Sequence, residues 1–313
     1  MFGTHQSVRR VRLAATGLAM AVTLVGCGSS PTPATPATPA ASDQPTTPVA
    51  TTGDPAVVDL VPEAVASKGK LVVATEAQYP PFEFYDEDNK TIIGADAEIA
   101  TAVAEKMGLE VSLVDAAFDT IIPSLASKRY DMAESAFTVT AERIEQVDFV
   151  TYYYEGDGAL VKSGNPKGLG VDESLCGVKV AVLKGSTQDA VSVPRLNKMC
   201  TDAGKPEIAV SILPGSNGLG LALSSGRVDA VLTDGSNAAF TAKQSAGKME
   251  LAPGDPFNPA PFGIATTKDS GMAEAVQAAL KSMIADGSYL EILTTWGMQA
   301  GAVETPEINE VTS

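Results

Sequence analysis

From about residue 59 onward, short β-branched runs alternate with amphipathic stretches, and the alternation predicts the elements. Lys70-Leu71-Val72-Val73-Ala74-Thr75 reads as a buried strand. It runs into Tyr79-Pro80-Pro81-Phe82, where two prolines stop regular structure and stiffen an aromatic loop. Gly94-Ala95-Asp96 leads into an amphipathic helix over about 97–107, closed by Gly108 at the C′ position. A strand over 109–114, a helix over 120–128 capped by Asp119, and a strand over 130–136 follow. Thr140 is placed to cap a further helix that carries Arg143 on its first turn. This order predicts an α/β domain with parallel pairing.

The same order then recurs. Lys179-Val180-Ala181-Val182-Leu183 reads as a strand, Lys184 to Gln188 as a loop before a helix, 208–213 as a strand and 219–225 as a helix. A last strand over 228–233 ends at Asp234. Leu125-Ala126-Ser127-Lys128-Arg129-Tyr130-Asp131 answers Leu223-Ser224-Ser225-Gly226-Arg227-Val228-Asp229, which sets Ser135-Ala136 opposite Thr233-Asp234. A chance repeat of a common helix-turn-strand phrase is the alternative. Two α/β lobes with matching strand ends predict a ligand cleft between them. The tail reads as a strand over 261–265 and helices over 272–285 and 289–296. The chain is expected to cross between lobes near 155–158 and 259–262. That assigns 59–157 plus 260–313 to the first lobe and 158–259 to the second, with two hinge strands that suit bending.

The start of the chain is of another kind. Arg9, Arg10 and Arg12 precede an uncharged, mostly apolar stretch from Leu13 to Val25, too short to span a membrane comfortably. It ends in Leu24-Val25-Gly26-Cys27, which resembles the bacterial lipoprotein signal. The resemblance implies cleavage after residue 26, a lipidated Cys27, and a protein tethered to the outer face of the cytoplasmic membrane. Residues 27–58 are rich in Pro, Thr, Ala and Ser and read as a semi-rigid spacer.

The full chain of 313 residues carries a formal charge of −16, and loss of the three signal arginines leaves about −19. Such a balance argues against nucleic acid as a partner. The only histidine is His5, inside the signal. Its removal leaves no Ser-His-Asp triad, Cys-His pair or His-ligated metal site, and no cofactor is expected. Cys176 and Cys200 remain, an even pair in an exported protein. One precedes a strand and the other ends the helix that returns from it, so a disulfide is expected.

Glu134-Ser135-Ala136-Phe137-Thr138-Val139-Thr140-Ala141-Glu142-Arg143 carries the candidate chemistry. A strand end there delivers hydroxyls, free backbone N–H groups and one guanidinium to a small volume, which suits a carboxylate. The plainer reading is a capped helix with a solvated arginine.

At this point the chain resembles the extracellular solute-binding proteins of bacterial family 3, which take polar amino acids for ABC importers. The matching residues are Ala74 to Phe84, Phe118 to Leu125, Phe137 to Arg143, Val147 to Phe149, Gly185 to Gln188, Gly226 to Asp234 and Asp286 to Tyr289. The resemblance implies a two-lobed, type II periplasmic-binding-protein-like α/β fold, no catalysis, and a monomer that delivers an amino acid to a permease. It implies that Arg143 pairs with the ligand carboxylate, helped by Thr138 and by the N–H groups of Thr138 and Thr187. It places Asp234 and the Ala136 carbonyl on the ammonium, Tyr79 and Phe118 around the side chain, and Glu76 and Gln188 near its far end. A buried zwitterion needs each charge paired.

Other readings stand beside these. Tyr79 and Phe118 also suit a core, Asp234 a helix cap and Glu76 a solvated loop. Ala136 replaces the usual Gly or Ser, Ala95 a common aromatic, and Glu76 a shorter Asp. Glu134 adds a second acid if it points into the cleft. Glu76 leans toward a basic amino acid, whereas Gln188 would suit glutamine. The rival functions are a dehydratase of cyclic acids with Glu76 as acid/base and a solute-sensing receptor.

Overall fold

The computed structural model describes residues 53–311. The expected signal, Cys27 and most of the spacer lie outside them. Residues 55–58, at the end of the expected spacer, are folded onto the core. Pro55–Val58 (α1) is a helical turn capped by Asp54, whose side chain also accepts from Ser282, and Val57 is buried in the core. Glu63–Ala66 (α2) follows.

The first half comprises β1 (Lys70–Thr75), β2 (Gln78–Tyr79), β3 (Glu83–Tyr85), β4 (Ile92–Ile93), α3 (Ala95–Lys106), β5 (Glu110–Asp115), α4 (Phe118–Ala126), β6 (Met132–Ala133) and α5 (Ala141–Ile144). A 16-residue strand, β7 (Val147–Lys162), leads into β8 (Lys179–Leu183), α6 (Val193–Asp202), β9 (Ala209–Leu213), α7 (Asn217–Ser224), β10 (Ala230–Asp234), α8 (Gly235–Gln244) and β11 (Met249–Leu251). Then β12 (Phe257–Thr267), α9 (Met272–Asp286) and α10 (Ser288–Thr295) close the chain.

One sheet runs through the molecule in the order β5-β1-β6-β12-β7-β10-β8-β9, with β11 also on β7. Its outer parts are parallel, as the repeating order predicts; β7 and β12 pair antiparallel to each other at its centre. Side chains alternate across it with a period of two. Leu71, Val73 and Ile264 face α3 and α9, while Ala74, Ala133 and Ala265 face α4. Farther along, Val180 and Val182 pack on α6, and Ala181 and Leu183 on α7. The two lobes thus each fill both faces of their own part of a shared sheet.

Several boundaries shift for local reasons. The helix expected from residue 97 starts at Ala95, because Gly94 makes the turn at φ +123°, where an added Cβ would lie 2.2 Å from the Phe82 carbonyl oxygen. The strand expected over 130–136 is reduced to Met132–Ala133, ended by Ala136 at φ +46°. Asp119 caps no helix: α4 begins a residue before it, and its carboxylate pairs instead with Lys184 at 2.7 Å. Thr140 does cap α5, accepting from the Arg143 N–H at 3.2 Å. No helix among the described residues is long and apolar enough to cross a membrane.

Cys176 and Cys200 are disulfide-bonded across 24 residues of sequence. Closing a loop of that length restricts the unfolded chain and contributes about 3 kcal/mol. The double substitution Cys176→Ser/Cys200→Ser is expected to lower the unfolding free energy by about that amount in a urea titration. An unchanged midpoint would mean that α6 is held by packing alone.

Candidate functional site

The parallel strands β1, β6, β8 and β10 each end where the lobes meet, and their outgoing loops line one cleft. Little free space remains inside it, about 20 Å³. All nine residues expected from sequence line it: Glu76, Tyr79, Phe118, Ala136, Thr138, Arg143, Thr187, Gln188 and Asp234. Glu134 does not. It is buried behind the cleft, where neither carboxyl oxygen has a hydrogen-bond partner among the described residues.

At one end stands Arg143, half-buried. Its guanidinium donates to the Thr138 carbonyl at 2.8 Å and to the Gly185 carbonyl at 3.0 Å, so its partners are carbonyls rather than carboxylates. The Phe118 and Phe137 rings lie 5.7 and 5.6 Å from it, which favours the cation further. Desolvation lowers its pKa to about 10, against the pull of Asp234. It remains a cation at neutral pH. The Thr138 and Thr187 hydroxyls meet beside it at 2.9 Å.

Asp234 ends β10, directly opposite Asp157 of β7 in the antiparallel register. The Tyr79 hydroxyl donates to Asp234 Oδ2 at 2.6 Å. Gln188 Nε2 uses its two hydrogens on two acids, Asp234 Oδ1 at 2.8 Å and Asp157 Oδ1 at 2.7 Å. Burial and the neighbouring Asp157 push the Asp234 carboxyl well up. Burial pushes Asp157 up to about 6. A cation set against Asp234 would relieve both effects.

The other wall carries Glu76, which is no solvated loop acid. Its carboxylate accepts from the Ser216 N–H at 3.0 Å and the Ser216 hydroxyl at 2.8 Å. Burial pushes its carboxyl up and the two Ser216 donors hold it part-way back. Tyr79 stacks on Phe82 and Phe118 on Phe137, so each aromatic is at once core and cleft wall.

Several of these bonds cross from lobe to lobe: Tyr79 to Asp234, Glu76 to Ser216, Thr138 to Thr187 and Arg143 to Gly185. Asn237 adds another, donating to the Pro80 carbonyl at 2.7 Å. The conformation is closed.

Sequence reasoning missed Ser216, Asn237, Asp157 and Glu83. Ser216 and Asn237 sit at helix starts and carried no cleft signal of their own. For Asp157 a signal existed. Glu155-Gly156-Asp157-Gly158 interrupts an apolar strand with acids and glycines where polar groups are needed inside.

Residues 71–299 match the bacterial extracellular solute-binding proteins, family 3. The arginine-binding protein ArgT of Corynebacterium glutamicum is 33% identical over 257 residues, 82% of this chain and 83% of that one. The L-cystine-binding protein TcyJ of Escherichia coli is 31% identical, covering 74% of this chain and 84% of its own. Among solved structures, an ancestral arginine-binding protein bound to arginine superposes with a TM-score of 0.66 at 36% identity, covering 73% of this chain and 98% of that one. The matched span takes in every strand end that lines the cleft, and the chain belongs to the bacterial extracellular solute-binding proteins, family 3.

Proposed function

We propose that this chain captures a polar amino acid with a cationic side chain, arginine first among them, and delivers it to the permease of an ABC importer. The observation that carries the reading is the division of one cleft, among the described residues, into a cation with only carbonyl hydrogen-bond partners, Arg143, and acids that form no ion pair. Arg143 takes the α-carboxylate bidentately, with the Thr138 hydroxyl and the N–H groups of Thr138 and Thr187. Asp234 and the Ala136 carbonyl take the α-ammonium. Tyr79 and Phe118 enclose the aliphatic stem, and Glu76 faces the cationic end. Gln188 holds Asp234 and Asp157 together rather than choosing the ligand. That favours a basic side chain over glutamine.

Closure pivots where β7 and β12 cross, between a first lobe of 59–157 plus 260–313 and a second of 158–259. The chain acts as a monomer, tethered through a lipidated Cys27 to the outer face of the cell membrane, with the spacer holding it off the bilayer. The two curated relatives named above are binding proteins by name, which favours capture over the dehydratase reading.

Calorimetric titration of the refolded chain with each common amino acid tests the function. Saturable binding of L-arginine or L-lysine is expected, and silence from all of them would overturn it. Arg143→Ala should weaken binding by about 3 kcal/mol, roughly a hundredfold, with the thermal midpoint little changed. Equal affinity in that variant would remove Arg143 from the site.

Glu76 adds a pH dependence. It is charged only above its raised pKa, so affinity for a cationic side chain should be full above that value and fall as pH drops through it. Ser216→Ala removes one donor that lowers this pKa, and the acid limb should move to higher pH. A limb that stays in place would mean that Glu76 does not meet the ligand.

A further inference from the structure

Outside the cleft the lobes meet a second time, on aromatic rings. Phe84 of β3 and Phe240 of α8 lie 5.8 Å apart between ring centroids. Trp296, which packs on the core of the first lobe, meets Phe84 edge-on at 5.6 Å. Phe84 and Phe240 are half-buried, and among the described residues neither joins a core cluster of its own lobe. Each ring covers the other only while the lobes stand together.

Asn237 lies three residues before Phe240, on the same face of α8. Its side chain donates to the Pro80 carbonyl at 2.7 Å, and its Oδ1 accepts from the Thr233 hydroxyl at 3.0 Å. The Thr233 bond lies within the second lobe and orients the amide, so that its N–H is presented across the gap. Pro80 and Phe84 belong to the β2–β3 hairpin, in which Gln78 pairs with Phe84 and Tyr79 with Glu83. One face of α8 therefore grips this hairpin at two points. The hairpin is the one that carries Tyr79 to Asp234. Asn237, Phe240, Phe84 and Trp296 are not among the residues that line the cleft.

We propose that Asn237 and Phe240 are positioning residues, a two-point latch on α8 that holds the Tyr79 hairpin against the second lobe and slows the escape of a captured ligand. Opening the lobes separates two aromatic faces and breaks a buried amide–carbonyl bond, so the latch adds to the cost of opening. It forms only as the lobes come together, after the ligand has entered. It therefore acts on dissociation and leaves association alone. Its effect on ligand escape rests on the reading that arginine is captured between the lobes as divided above; its effect on closure does not depend on arginine.

The test uses the full mature chain and the variants Phe240→Ala, Phe240→Leu and Asn237→Ala. Calorimetry gives the Kd for L-arginine, and release of radiolabelled L-arginine into excess unlabelled ligand gives the dissociation rate. Phe240→Ala should release L-arginine about tenfold faster, with Kd raised by the same factor and the association rate unchanged. Asn237→Ala should release it severalfold faster. Phe240→Leu keeps an apolar side chain on the hairpin and should recover most of the loss. Emission of Trp296, the only tryptophan in the chain, should change when L-arginine binds the parent and change less in Phe240→Ala. An unchanged release rate in Phe240→Ala, a loss carried by slower association, or a Phe240→Leu variant as impaired as Phe240→Ala would overturn the latch. If L-arginine does not bind the parent chain, the functional reading fails, and small-angle scattering of the ligand-free chain decides instead. A larger radius of gyration in the double variant Asn237→Ala/Phe240→Ala than in the parent keeps the latch, and an equal one overturns it.

Discussion

A charge taken out of water must find a partner, and that constraint shapes the cleft. The lobes close over one arginine and three acids, Glu76, Glu83 and Asp234, in a space where an unpaired ion costs several kcal/mol. The protein meets the cost in two ways. Arg143 is surrounded by carbonyls and aromatic faces that favour its charge without cancelling it. The acids are either served by neutral donors (Tyr79, Gln188, Ser216) or pushed toward protonation by burial. Both arrangements leave an electrostatic demand that a zwitterion with a positive tail satisfies.

The sheet explains how these groups come together. Parallel strands from both lobes point their carboxyl ends at the same gap, so each loop leaving a strand contributes to the site. Among the described residues β12 and β7 join the two parts of the sheet, and Glu155 and Asp157 sit on β7. On the proposed division of the lobes, the hinge and Asp157, which shares Gln188 with Asp234, lie on one strand. Movement of one lobe against the other must alter the surroundings of Asp157 and Asp234 together.

Much of this was legible in the sequence, and the failures have physical reasons. The bounds of β1 and β8 follow directly from their β-branched runs, and Thr140 caps α5 as its side chain suggests. The nine cleft residues came from the resemblance to family 3, carried over on matching local phrases such as Phe137 to Arg143 and Gly185 to Gln188. Asp119 looked like a cap because its next neighbours are helical, but the better partner was Lys184 on the facing lobe. Ala136 was legible as an unusual residue, though not as a turn costing about 1–2 kcal/mol in the left-handed region. The bonds that hold it join residues far apart in the chain, Ser135 with Glu83 and Ala136 with Asp96. Glu76 meets Ser216 across 140 positions. No periodicity records such pairs.

The proposed orientation puts the carboxylate on Arg143, the ammonium on Asp234 and the Ala136 carbonyl, and the side chain toward Glu76. A crystal structure of the mature chain grown with L-arginine tests it most directly. The account predicts both carboxylate oxygens in hydrogen-bonding range of the Arg143 guanidinium, with the Tyr79 hydroxyl displaced from Asp234 by the ammonium. Arginine bound the other way round, with its guanidinium at Asp234 and its carboxylate away from Arg143, would contradict it.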